Sequence, residues 1–197
     1  MSATSQPADT ARNPTVQTGK LVWPVMRVAG LVLVGLLLVA GLVAAVASAQ
    51  VRHVIAYRFP GGTLGWRGVA VIMADNARIA VAPIAAAYLV GLIRPDLTGR
   101  WTGWRRALRS ACDAVLGGAI LTNVVIAGAS YGAYGLKMAR YTLPYAPVEL
   151  LAFACPLALY LRARRAPSPR GEALALCATA AVLLTVSALI ESLLPPL

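Results

Sequence analysis

The sequence predicts an all-α, polytopic membrane protein with about five transmembrane helices, its N-terminus inside and its C-terminus outside. Three observations carry this. The chain is 59% hydrophobic and only 13% charged, with a mean hydropathy of +0.71. Its apolar residues fall into separate runs, each near the ~20 residues that a span requires. Its basic residues fall between those runs, unevenly on the two sides. Spans of that length occupy most of a 197-residue chain, which leaves little for an extramembrane domain.

The elements follow in order. Residues 1–20 are polar, rich in Ser, Thr, Pro and Gln, and read as a disordered cytoplasmic tail. Residues 21–197 form one transmembrane domain. The first apolar run extends from Val28 to Ala49 and ends in Ala47-Ser48-Ala49-Gln50, similar to a signal-peptidase site. The run is longer than the ~7–15 residues of a signal sequence, so a retained anchor is expected. A short hydrophilic-to-amphipathic segment, Val51 to Trp66, leads to a second span from Gly68 to Ile93. An Arg-rich loop with Trp101 and Trp104 follows, a mixture suited to the membrane interface. The third span covers Ala111 to Leu136, the fourth Pro144 to Leu161 and the fifth Ala173 to Leu194, where Pro195-Pro196 stop it.

Charge sets the orientation. Twelve Lys and Arg residues lie in the tail, in the loop after span two and in the loop after span four, against five on the other side. The positive-inside rule then places the N-terminus in the cytoplasm. The net charge of +11 raises the question of nucleic acid. Its Arg residues flank apolar runs instead of forming a binding face, so no nucleic-acid partner is expected. Cys112, Cys155 and Cys177 are scattered in or beside spans, and His53 is the sole histidine. Neither a disulfide framework nor a metal or cofactor site is expected. No nucleophile has a base partner, and no catalytic residue is assigned.

The informative residues are polar ones inside apolar runs, because ionised groups in hydrocarbon persist only where paired, wet or needed. They are Asp75, Asn76, Arg78, Asn123, Glu149 and Glu191. At 1.5 Å per residue, Asp75 lies about 10 Å from the outer end of its span, Arg78 about 15 Å, Glu149 about 8 Å and Glu191 about 5 Å. Asn123 falls near the middle of span three. The expectation is one polar cluster between spans, with Arg78 facing the bundle interior and paired with Asp75 three residues before it. The cluster either forms a wet, functional cavity or serves as an ion-pair network that fixes helix register. Gly128 and Gly132 have the small-xxx-small spacing that lets helices approach closely. Asp113, four residues after Arg109, reads as an interfacial ion pair.

Four stretches resemble the stage II sporulation protein M family of integral membrane proteins. They are Asp75-Asn76-Ala77-Arg78-Ile79-Ala80, Thr122-Asn123-Val124-Val125-Ile126-Ala127-Gly128, Leu143-Pro144-Tyr145-Ala146-Pro147-Val148-Glu149-Leu150 and Ala188-Leu189-Ile190-Glu191-Ser192. The third departs from the family's usual Pro-His-Gly-x-x-Glu, with Tyr145-Ala146 replacing His-Gly while Glu149 is kept. The resemblance implies a multi-pass protein of the bacterial plasma membrane. In spore formers the family member is a scaffold for cell-wall remodelling.

The expected function is therefore a non-enzymatic membrane scaffold or accessory protein that recruits a membrane-protein partner or a second copy within the bilayer. The alternative is a small transporter, channel or permease-like subunit that uses the intramembrane carboxylates.

Overall fold

The computed structural model describes residues 14–55, 66–92, 103–165 and 169–193. Among them are only helices: α1 (Pro14–Val46), α2 (Ser48–Ile55), α3 (Trp66–Leu92), α4 (Gly103–Tyr134), α5 (Leu136–Thr142), α6 (Ala146–Ala163) and α7 (Arg170–Leu193). Five of these, α1, α3, α4, α6 and α7, are long and apolar enough to cross a membrane. The chain is a multi-pass membrane protein. In hydrocarbon each backbone polar group must be satisfied within its own segment, which selects helices from such runs.

The boundaries differ from the expected ones in three places. Helix α1 begins at Pro14, so residues 14–20, expected to be disordered, are helical; residues 1–13 lie outside the described residues. Proline suits the first helical position, and extending an existing helix adds a hydrogen bond for each residue fixed. Helix α4 begins at Gly103, eight residues before the expected start of span three. Two short amphipathic helices, α2 and α5, stand where connecting segments were expected. Gly135 separates α4 from α5 with φ 55° and ψ −131°, backbone that only glycine enters at little cost.

The helices run alternately up and down. At one end, the start of α1, the end of α3, the start of α4, the end of α6 and the start of α7 share a core that includes Val28, Ala87, Leu116, Ala158 and Leu176. Just beyond it, Asp113 of α4 accepts a hydrogen bond from Tyr160 and pairs with Arg164 at 2.9 Å. Arg162 pairs with Glu172 of α7 at 2.6 Å. Asp113 is thus tied to α6 by partners that its spacing from Arg109 did not suggest. We call this the basic end.

Helix α6 is the most enclosed span. Ala152, Ala154, Pro156 and Ala158 are almost wholly buried, and their small side chains let α1, α3 and α7 close around it. Helix α4 instead packs along α1. A Cβ on Gly128 would fall 2.7 Å from Val39 Cβ, and one on Gly132 would run into the Ala40 carbonyl and lie 2.8 Å from Val43 Cβ. Those two glycines set the distance between α1 and α4.

Candidate functional site

The opposite end holds a cavity of about 230 Å³ between α3, α6 and α7, lined by Ile72, Asp75, Asn76, Tyr145, Glu149 and Glu191. Each residue is placed by helical spacing. Ile72 and Asn76 are one turn apart on α3, with Asp75 beside them. Tyr145 precedes α6, and its carbonyl accepts the Glu149 N–H at 3.0 Å, which stacks the two side chains at the start of that helix. Pro147 stiffens the same turn. Glu191 projects from the last turn of α7.

The three carboxylates differ in support. Glu149 lies in the first turn of α6, where the helix dipole favours negative charge. Glu191 lies in the last turn of α7, where the dipole opposes it, and each carboxylate is near enough to feel the other's charge. Asp75 has a cation, with Arg78 Nη1 at 3.3 Å from Oδ1. Asn76 Nδ2 is buried and turned toward the Glu149 carboxylate, although it makes no hydrogen bond of normal geometry to it. Three lining carboxylates against one guanidinium leave a formal excess of negative charge. Below the cavity, Ala80, Ala152 and Leu184 pack the three-helix seam. One turn from Glu191, Ser187 is fully buried and its hydroxyl makes no hydrogen bond.

Of the six expected cluster residues, the structure brings Asp75, Asn76, Glu149 and Glu191 together. Arg78 does pair with Asp75, but it does not face the interior: its side chain is 80% exposed. Helical side chains tilt toward the N-terminus, so Arg78 reaches back a turn along the outside of α3, while Asn76 and Ala80 fill the inner face. Asn123 stands apart. It is exposed on α4 and donates to the Ala119 carbonyl at 2.8 Å. The glycine face of α4 is committed to α1, which turns Asn123 outward.

Ile72 and Tyr145 were not among the expected site residues. The signal for both was present, because each lies one turn before a cluster residue, Asn76 and Glu149. Tyr145 also packs edge-on against Tyr141 of α5, with ring centroids 6.2 Å apart. Among the described residues, no group of three or more His, Cys, Asp or Glu is disposed to hold a metal ion. The cavity can instead offer carboxylate charge, an amide and an aromatic ring to a cation or a proton. No protein family, curated protein or solved structure matches this chain.

Proposed function

We propose that this protein is a membrane-embedded cation-binding subunit of a small transporter. Its site is the cavity between α3, α6 and α7. The observation that carries the reading is the gathering of Asp75, Glu149 and Glu191 from three helices onto one hollow, with Arg78 outside it. Like-charged carboxylates repel unless a cation or proton lies between them. The guest is a small ammonium ion, since no three carboxylates among the described residues are disposed around a metal ion. Passage across the bilayer requires α3, α6 and α7 to move, since the seam below the cavity is packed. The basic asymmetry supports an N-terminus inside and a cavity opening outward, and the resemblance to the stage II sporulation protein M family supports a bacterial cytoplasmic membrane.

Thermal melting of the full chain in detergent tests the site. Methylammonium chloride is titrated at constant ionic strength, balanced by sodium or potassium chloride. Methylammonium raises the melting temperature saturably; at 100 times its Kd the gain is about 2.7 kcal/mol. Glu149→Gln abolishes the response. A wild type indifferent to methylammonium over pH 5 to 8, or a Glu149→Gln protein that responds like wild type, overturns the reading.

The second reading is a membrane scaffold. The outward-facing Asp75–Arg78 pair supports it, together with the order of the four stretches that resemble the stage II sporulation protein M family. Co-purification of a membrane partner without cation flux in proteoliposomes favours that reading.

A further inference from the structure

Asp75 and Arg78 stand on the outer face of α3 with side chains 63% and 80% exposed. Arg78 is the thirteenth residue of a 26-residue apolar span, about 18 Å along the helix from Trp66. Charged side chains within spans characteristically face protein or water, not lipid. Helix α3 spends its other faces on α6 and α7. On the turns after Arg78 this face is small, where Ala82 and Ala85 are exposed, while Val71 stands exposed one turn before Asp75. It therefore combines an ion pair of both signs with room for another backbone to come close.

We propose that this face of α3 binds the same face of a second copy of the chain within the bilayer. The charges themselves favour this occupant. A two-fold axis along the membrane normal sets the two α3 helices side by side and parallel. Each Arg78 then lies about 4.5 Å along the axis from the second copy's Asp75, one helical turn back and within reach of a guanidinium. Four charges alternate in sign, and the symmetry supplies the complementary pattern without a second sequence. Ala82 and Ala85, on the turns after Arg78, allow the approach that brings the charges together. The inference stands apart from cation binding, although Asp75 belongs to both the cavity and this face.

The test counts copies of the full chain in liposomes at low protein-to-lipid ratio, by single-molecule photobleaching. Wild type bleaches mainly in two steps. Arg78→Asp, which makes every charge on the face negative, lowers the two-step fraction at least tenfold. The double exchange Asp75→Arg with Arg78→Asp restores it, because the pattern is again self-complementary. Cross-linking gives an independent measurement. With Cys112, Cys155 and Cys177 replaced by alanine, Ala82→Cys forms disulfide-linked dimers under mild oxidant, and Leu38→Cys on the outer face of α1 does not. If Arg78→Asp fails to fold, the cross-linking comparison decides. A monomeric wild type, a dimer indifferent to Arg78→Asp, or equal cross-linking at positions 38 and 82 overturns the proposal.

Discussion

Two helix seams meet at the cavity end of this molecule, and they solve the same packing problem in opposite ways. Between α1 and α4 the chain removes side chains altogether. Gly128 and Gly132 let backbone meet backbone, and Gly35 adds a contact in which a Cβ would lie 3.4 Å from Val124. Between α3, α6 and α7 the chain keeps Asp75, Glu149 and Glu191 and leaves a hollow of about 230 Å³. Without a hydrophobic driving force in lipid, helices associate through close packing and polar contacts. The first seam uses close packing and is a fixed frame. The second uses polar groups that are only partly satisfied, so it is the seam at which the proposed cation would act.

The most severe way to break the comparison is to fill the frame. Gly132→Leu places a side chain into the Ala40 carbonyl and within 3.0 Å of Ala44 N, where backbone cannot yield cheaply. Overpacking of this kind costs about 1–3 kcal/mol and sometimes more. The expected outcome is the largest fall in melting temperature of any substitution considered, with separation of α1 from α4. Gly118→Ala is the control, because a Cβ there meets nothing within 4 Å. Similar losses at both positions remove the distinction between frame and hollow.

The next effect is smaller and has a sign. Glu191 opposes the dipole of α7, whereas Glu149 is favoured by that of α6, and such terms are worth about 0.3–1 kcal/mol. Both neutralisations relieve mutual repulsion, but only Glu191→Gln also relieves the dipole conflict. Glu191→Gln is therefore expected to melt higher than Glu149→Gln, by about 1 kcal/mol at most. The reverse order contradicts the assignment of strain to Glu191.

These effects also show what the sequence could reveal. The five apolar runs were legible because hydrocarbon permits little besides helices, and the glycine spacing because four residues return to one face. The carboxylates were legible as costly exceptions. Sequence could not show which helix neighbours which. Asn123 looked equivalent to Asn76 by depth, but α4 is bound to α1 and α3 to α6 and α7, so the two amides never share a site. Arg78 followed a rule of cost that says it needs company, without saying from which side. Asp113 has its partners in Tyr160 of α6 and Arg164 just after it, which local spacing cannot reach.

Asn123 supplies the third test because it marks the limit of the site. Its side chain is exposed and satisfied by its own helix. Asn123→Leu is expected to shift stability by less than about 0.5 kcal/mol, as for substitutions away from buried networks. It should leave the cation response intact. Loss of that response would place α4 in the site and erase the boundary between the seams.

The smallest effect asks whether the seams communicate, and it turns on α5. Thr142 of α5 shares a hydrogen bond with Tyr131 of α4, while Tyr141 beside it packs against Tyr145 at the cavity. Burial raises the pKa of the Tyr141 hydroxyl above its ordinary 10.0, and the nearby Glu191 charge raises it further. The folded protein therefore holds this proton more tightly than the unfolded chain does. Below the ordinary value both states are neutral there and the group adds no pH dependence. As pH rises past about 10 the unfolded chain ionises first, so stability falls. Tyr141→Phe removes that contribution. The melting temperature of wild type relative to the variant is expected to decline between pH 9 and pH 11, and Glu191→Gln should make the decline shallower. A wild-type-to-variant difference that stays constant across that range sinks the prediction. A decline unaffected by Glu191→Gln leaves burial as its cause and α5 electrically separate from the cavity.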